Sequence, residues 1–248
     1  MEKPVTLDAP LTSLPGIGPQ RAALFARLNV RTVGELLRLY PRAYEDRTRL
    51  VSIASLEAGT PACFEAAVVT TPRTNRIPKP GSRMLEVTKF TVADDTGRLN
   101  LTFFNAAHSA GALRVGERYC FYGVLTGDFA AYGMTNPLFE PCDGPAHVTR
   151  RILPVYPLTA GLTNSMVLRA QAQAVSRCAG LLPETLPPEL LRRYGLCGAA
   201  EACREIHCPT SAAALGQAQR RLVFEEFFLF SAALAIVRSR RTAHSCPA

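Results

Sequence analysis

The sequence predicts an α+β protein in which a five-stranded barrel is flanked by an N-terminal and a C-terminal helical segment. Apolar residues recur at helical intervals up to about residue 46 and at every second position between 62 and 141. They return to helical intervals from about residue 146. We therefore divide the chain into residues 1–50, 51–145 and 146–248. The 248 residues are 48% hydrophobic, enough to support buried cores.

Period-two alternation in the middle segment predicts five short strands, within 64–69, 85–91, 99–103, 119–125 and 132–136. Asp94-Asp95-Thr96-Gly97 predicts a hairpin turn between the second and third strands. This pattern favours the oligonucleotide/oligosaccharide-binding fold (OB-fold), whose second and third strands and flanking loops usually hold the ligand. An SH3-like barrel and an open sheet are the alternatives.

A glycine-rich turn, Leu14-Pro-Gly-Ile-Gly-Pro19, opens the first segment. Pro19 suits the first turn of the helix that follows. In helix-hairpin-helix modules, a Gly-x-Gly turn offers backbone N–H groups to a DNA phosphate, so Gly16 and Gly18 are candidate DNA-binding residues. The alternative is a turn that only connects two helices, because the paired repeat typical of such modules is missing.

The third segment combines helical periodicity with many prolines, and its last helix is predicted from about Ala212 to Arg241. One face of that helix carries Phe224, Phe227, Phe228 and Phe230. So much apolar surface needs a partner, either in the preceding segments or outside this chain. The longest apolar run, residues 227–237, is too short for the roughly 20 residues that cross a bilayer.

Composition favours a nucleic-acid partner. The formal net charge is +8 and the pI is about 9.3, which suits a polyanion. Glu2, Lys3 and Asp8 interrupt the N-terminus, where no signal-peptide pattern occurs. The eight cysteines include no Cys-x-x-Cys pair, which favours reduced thiols. We therefore expect a monomeric cytoplasmic protein without a membrane segment.

Catalytic motifs are missing from these 248 residues. They contain no P-loop, dinucleotide-binding, HExxH or GxSxG pattern, so we assign no catalytic residue and expect no ATPase activity from this chain alone. We interpret Asp94 and Asp95 as turn residues rather than paired carboxylates. No common zinc site has the spacing of Cys197, Cys203, His207 and Cys208. We therefore expect neither a metal nor another cofactor in this chain.

Candidate binding residues lie on the predicted barrel. If Leu99, Leu101 and Phe103 point inward, Phe104 points outward and can stack on an unpaired base. Packing of Phe104 under a neighbouring loop is the alternative. The Pro-containing loop 71–82 and its flank are expected to contact phosphates or to form a solvated charged loop, and they hold Arg73, Arg76, Lys79 and Arg83.

Several short motifs follow one another along the chain: Leu14-Pro-Gly-Ile-Gly18, Tyr40-Pro-Arg-Ala-Tyr-Glu-Asp-Arg-Thr48, Asp95-Thr-Gly97 with Leu101-Thr-Phe-Phe-Asn105, Met134-Thr-Asn-Pro-Leu-Phe-Glu140, Pro154-Val-Tyr-Pro-Leu-Thr159 with Gly161-Leu-Thr163, and Arg220-Arg-Leu-Val-Phe-Glu-Glu226. In order and spacing, they resemble the RecG family of bacterial ATP-dependent DNA helicases, which remodel stalled replication forks and Holliday junctions.

This resemblance implies that the barrel is a wedge domain that grips the branch point of DNA in recombination and repair. It implies that Phe104 stacks on a base at the fork, next to Asn105, and that His108 stands where the family has a second aromatic. It also implies a motor that uses ATP and Mg²⁺ and begins just beyond a helix like 212–241, so we expect this chain to hold the wedge without the motor. Branched DNA and motor domains in cis are the expected partners. A protein-interaction scaffold that uses the barrel or the apolar last helix is the alternative.

Overall fold

The computed structural model describes residues 5–78, 84–127, 132–144 and 148–244, without the side chains of Ala107 and residues 241–244. Most of its strands belong to one compact unit and most of its helices to another. Asp46–Leu153 form one unit, which we call the barrel unit. Met1–Glu45 and Pro154–Ala248 form the other, which we call the helical unit. The N-terminal and C-terminal helical segments of the sequence therefore fold together.

Among the described residues, the strands are β1 (Ala43–Asp46), β2 (Leu50–Val51), β3 (Pro61–Val68), β4 (Arg73–Ile77), β5 (Leu85–Ala93), β6 (Arg98–Phe104), β7 (Arg118–Thr126), β8 (Gly133–Thr135), β9 (Leu138–Pro141) and β10 (Ile152–Val155). The α-helices are α1 (Pro19–Ala26), α2 (Val33–Leu37), α3 (Ala107–Ala110), α4 (Asn164–Cys178), α5 (Pro188–Tyr194), α6 (Ala199–His207) and α7 (Ala212–His244). Short 3-10 helices occur at Leu11–Ser13, Ile53–Ser55 and Ala179–Leu181.

Five strands of the barrel unit close into a ring in the order β3-β5-β6-β8-β7, with β7 pairing back to β3. Strands β6 and β8 run parallel, and the other neighbours in the ring are antiparallel. Helix α3 lies in the chain between β6 and β7. This connectivity confirms the predicted OB-fold. Stacked pairs of aromatic rings fill the interior, Phe64 with Phe121 and Phe90 with Phe103.

Part of the predicted basic loop is a strand, which corrects the sequence interpretation of residues 71–82. Strand β4 pairs antiparallel with the first half of β5, and the Thr74 and Thr88 hydroxyls lie 2.7 Å apart across the pair. Pro72 and Pro78 flank β4 and delimit it because proline cannot donate a ladder hydrogen bond. The local sequence of β4 does not predict a strand, and the segment is ordered as one because it pairs with β5.

The turn chemistry of the helical unit follows the sequence closely. Gly18 precedes α1, and Pro19 occupies its first turn as predicted. Asn29, with a φ of 58°, ends the first helical stretch and turns the chain toward α2. A capping box then starts α2: the Glu35 N–H donates to Thr32 Oγ1 at 3.2 Å, and the Thr32 N–H donates to Glu35 Oε2 at 3.0 Å.

Helix α4 completes the core of the helical unit, where Val167, Ala170 and Ala174 pack with the buried side chains of the N-terminal helices. A polar contact fixes this packing, because the buried Gln171 side chain donates from Nε2 to the Leu36 carbonyl at 2.7 Å. The helices of the first 45 residues therefore share one core with α4.

Helix α7 confirms the predicted last helix and its apolar surface. Its first half is anchored by Arg221, a fully buried side chain that donates to Glu184 at 2.6 Å and to Glu225 at 2.7 Å. Beyond Leu222 its large apolar side chains are mostly exposed, with Phe227 at 68% and Phe230 at 62%. This half of α7 exposes an apolar surface.

Candidate nucleic-acid interface

Strand β6 presents a row of side chains to the outside of the barrel. Leu99, Leu101 and Phe103 are buried, as the alternation predicts. Between them, Asn100 and Thr102 point outward, and Phe104 ends the row with 38% of its surface exposed. The prediction that Phe104 faces outward is therefore confirmed.

Two asparagines hold the backbone at Phe104. The Phe104 N–H donates to Asn136 Oδ1 at 2.7 Å. On the other side, the Asn105 N–H donates to the Glu86 carbonyl at 2.8 Å, and the Glu86 N–H donates back to Asn105 Oδ1 at 3.2 Å. Both asparagines have a positive φ, which asparagine tolerates better than most residues. Asn136 and Asn105 therefore fix the backbone at and directly after Phe104.

A groove of about 710 Å³ runs along the same face of the barrel. Its lining combines two cations, an amide, two aromatic residues and six threonines, and no carboxylate belongs to the described residues around it. Strands β5 and β6 form much of its wall, the position at which OB-folds usually hold their ligands. The polar lining residues are Arg73, Lys89, Asn100, Tyr132, Thr70, Thr71, Thr91, Thr102, Thr126 and Thr135.

Arg73 and Lys89 stand directly opposite each other in the β4–β5 register, and both line this groove. Like charges at directly opposed positions destabilise a sheet. Neither side chain makes an ion pair with a carboxylate in the described parts of the chain. The repulsion between these two cations therefore lowers the stability of the free protein and favours the binding of an anion in the groove.

The other predicted basic residues are placed differently. Arg76 pairs with Glu86 across the same two strands, with Nε and Oε1 3.1 Å apart, so part of its charge is compensated. Lys79 and Arg83 lie outside the described residues. His108 is exposed on the short helix α3, four positions after Phe104. Of the two predicted basic residues of this segment that the structure describes, Arg73 lines the groove and Arg76 does not.

Gly16 and Gly18 lie in the helical unit, at the turn before α1. Gly16 has a φ of +78°, a conformation that favours glycine, and Gly18 is the residue before the helix. The Arg21 side chain donates from Nη1 to the Gly16 carbonyl at 2.6 Å. The turn is therefore ordered by a cationic side chain of the helix that it starts.

Asp94 has a structural role in the hairpin, as interpreted from the sequence. One carboxylate oxygen accepts from Thr96 and Gly97, and the other accepts from the Ile53 N–H at 2.7 Å. Burial acts to raise the pKa of Asp94, but these hydrogen bonds outweigh it and hold the pKa below its usual value. The carboxylate is thus fixed as a turn acceptor.

His207, a member of the cluster considered for zinc, is also structural. Its Nε2 lies 2.8 Å from the Leu37 carbonyl, which can only accept, so Nε2 carries the proton. Nδ1 then accepts from the Tyr156 hydroxyl at 2.8 Å. Burial lowers the pKa of His207 to about 4. Both ring nitrogens are occupied, and the ring is neutral at physiological pH.

Within the described residues, one group brings three possible metal ligands together: Glu65, Cys120 and Cys142, whose ligand atoms lie within 4.8 Å of one another. Glu65 already pairs with Arg118 at 2.8 Å. Burial and the neighbouring Cys120 raise the pKa of the Cys142 thiol, so this thiol is protonated at neutral pH.

The helices in the described ranges include none with the length and hydropathy of a membrane span.

The groove includes Lys89, Asn100 and Tyr132, which were not singled out as binding residues from the sequence. Lys89 stood in a period-two run, where a lone cation at an outward position was an available signal. Asn100 and Tyr132 carried no such signal, because their common wall forms only when β6 and the chain before β8 come together. The groove is thus a product of topology.

A closed OB barrel with a cationic, threonine-rich groove and an exposed aromatic at the end of β6 defines a protein of the oligonucleotide-binding class. Comparison with known families narrows this class. Residues 11–177 match the family model of the RecG wedge domain, and the chain belongs to that family.

Relatives and a solved structure agree with this assignment. The chain is 32% identical to the ATP-dependent DNA helicase RecG of Escherichia coli K12, covering 94% of this chain and 34% of that protein. It is 30% identical to RecG of Synechocystis, over 90% of this chain and 28% of the relative. A structure of RecG bound to a three-way DNA junction superposes with a TM-score of 0.85 and 25% identity, over 98% of this chain and 33% of that one. The chain therefore spans about a third of these relatives.

Proposed function

We propose that this chain binds branched DNA, such as replication forks and Holliday junctions, as the wedge of a RecG-like ATP-dependent helicase in recombination and repair. The observation that carries the proposal is the groove with its opposed cations and the exposed ring of Phe104 at the end of the same row. The RecG structure that superposes on this chain was solved with a three-way DNA junction, which supports the same ligand here.

Phosphate binding and base stacking would have separate parts of this surface. Arg73 and Lys89 would neutralise backbone phosphates, while the threonine hydroxyls along the groove donate to phosphate or sugar oxygens. These contacts read no sequence. Phe104 would stack on a base, with a gain of about 1–3 kcal/mol that does not depend on which base it is.

The need for an unpaired base gives the proposal its selectivity. Inside a linear duplex, both faces of each base are covered by neighbours, whereas a branch point offers a base with an open face. Phe104 can therefore add binding energy at a branch and almost none along a duplex. His108 would supply a second, weaker stacking surface nearby in the chain.

Strand separation would require domains outside these residues. The RecG relatives are about three times the length of this chain, and the 248 residues contain no P-loop motif, so we propose that ATP and Mg²⁺ act in a motor joined in cis. The exposed apolar half of α7 offers a surface for such a domain. The family match favours this reading over the protein-interaction scaffold.

The test compares the binding of forked and linear duplexes of equal length by fluorescence anisotropy. We expect tighter fork binding by the native chain and a loss of about tenfold with Phe104→Ala, as stacking magnitudes predict. The linear duplex should be bound equally by both proteins. Leu138→Ala is the matched control, because Leu138 is a similarly exposed apolar residue of β9 that does not line the groove.

Two outcomes would count against the proposal. Equal, weak binding of both DNAs by the native chain would remove the selectivity for branches. Fork binding that survives both Phe104→Ala and neutralisation of the groove cations would show that this surface does not hold the DNA. The scaffold would instead be favoured by binding of a partner protein that survives neutralisation of Arg73, Arg76, Lys79 and Arg83.

A further inference from the structure

Two stretches of the helical unit are free of acidic residues. Residues 9–34 contain no Asp or Glu but contain Arg21, Arg27 and Arg31. Residues 154–183 also lack acids and contain Arg169 and Arg177. The charged side chains of both stretches are therefore all positive, which favours contact with an anion where they come together. Both stretches contribute to a single cavity.

That cavity measures about 340 Å³ and lies between the glycine turn and α4. Arg21 of α1 and Arg169 of α4 line it, and so do two hydroxyl-bearing residues at the start of α4, Thr163 and Ser165. No carboxylate lines the cavity in the described part of the chain. The N-terminal end of α4, which bears a partial positive charge, faces the same space with its first residues.

The cavity is held in shape by contacts that leave its charges available. Arg21 donates one of its five N–H groups to the Gly16 carbonyl at 2.6 Å, which fixes the guanidinium beside the turn. Gln173 of α4 donates to the Pro15 carbonyl at 2.9 Å and joins the helix to that turn. Arg169 is exposed and makes no hydrogen bond or ion pair with any described residue. Arg21 therefore keeps four of its N–H groups available to a ligand, and Arg169 keeps all five. Both guanidinium groups line one small cavity.

We propose that this cavity binds a phosphate group of the DNA backbone, held by Arg21 and Arg169 and by the hydroxyls at the start of α4. The helical unit thereby has its own DNA contact, which reads no sequence and is independent of the barrel groove. Arginine suits this role because its planar fork can donate two hydrogen bonds to one phosphate. The inference rests on the proposed function only in taking DNA as the source of the phosphate.

The test combines Arg21→Ala with Arg169→Ala and measures the affinity for a forked DNA over a range of salt concentrations. Loss of one phosphate contact makes the negative slope of log K against log salt shallower by about 0.9. Carried from 1 M to about 150 mM salt, this change corresponds to about fivefold weaker binding. The matched control combines Arg192→Ala with Arg193→Ala. These changes remove the same charge from α5, outside the cavity lining, and should leave the slope close to that of the native chain.

A second measurement separates this inference from the proposed function. Inorganic phosphate is titrated into the protein at constant ionic strength while the arginine Nε–H signals are followed by NMR. Saturable shifts of Arg21 and Arg169 that chloride does not reproduce, with the Arg21 shift lost in the single variant Arg169→Ala, support the cavity even if no DNA binds to the barrel. Shifts that fail to saturate would overturn it. Saturable shifts together with an unchanged salt slope in the double variant would refute DNA as the source of the phosphate.

Discussion

Replacing both Arg73 and Lys89 by glutamine should weaken the binding of branched DNA and leave the fold intact. The two side chains face each other across β4 and β5 and line the groove, and neither is held by a carboxylate among the described residues. Glutamine keeps a long polar side chain at each position and removes only the charge. The loss of affinity should therefore report on phosphate contacts rather than on packing.

The magnitude follows from counterion release. If each cation neutralises one phosphate, the negative slope of log K against log salt becomes shallower by about 1.8 in the double variant, at about 0.9 per contact. Carried from 1 M to about 150 mM salt, this change corresponds to binding that is about 30-fold weaker. The free protein should respond in the opposite direction, because Lys89→Gln alone removes the repulsion between opposed like charges. Its urea midpoint at low salt should rise.

Anisotropy titrations at several salt concentrations, with urea unfolding of each variant, measure both effects. Arg98→Gln with Arg114→Gln is the matched control, since these residues carry the same charge in the same unit and do not line the groove. A double variant with the native slope would show that the opposed cations do not hold phosphates. A lower urea midpoint for Lys89→Gln would refute the like-charge argument.

Three further predictions concern stability, measured by urea unfolding. Arg221→Ala should cost about 3 kcal/mol because it leaves two carboxylates without their buried partner, whereas the exposed neighbour change Arg220→Ala should cost much less. His207 has a folded-state pKa of about 4 against about 6.5 when unfolded, so its contribution is complete above pH 6.5. Stability should fall by roughly 1 kcal/mol per pH unit from there toward pH 4, and His207→Gln should flatten that slope. Gly133→Ala should cost about 1–3 kcal/mol, since a Cβ would lie 2.8 Å from the Asn100 carbonyl oxygen; an unchanged midpoint would contradict that close approach.

Local patterns predicted the barrel strands and the last helix well. Period-two alternation places Leu101 and Phe103 inside and Phe104 outside, because successive strand side chains point to opposite faces. The helix predicted from about Ala212 to Arg241 is observed as Ala212–His244. Both signals arise from neighbours in the sequence. The division into residues 1–50, 51–145 and 146–248 stays a prediction, as do the DNA-binding roles of the site residues.

The features that the sequence did not predict depend on distant parts of the chain. Strand β4 has exposed side chains throughout and flanking prolines, and it is ordered by pairing with β5. The opposition of Arg73 and Lys89 depends on the register of that hairpin, which neither residue specifies alone. The groove joins residues as far apart as Thr70 and Thr135. No local period encodes such a surface.

The two halves of α7 should differ in how long their amide protons resist exchange with deuterium. The first half, around Arg221, can open only if the core of the helical unit opens with it. The half that carries Phe227 and Phe230 has little burial to protect it, so its amides should exchange through local opening of single turns. Slower exchange in that half alone, on adding a candidate domain, would identify what covers its apolar face without any change to the sequence.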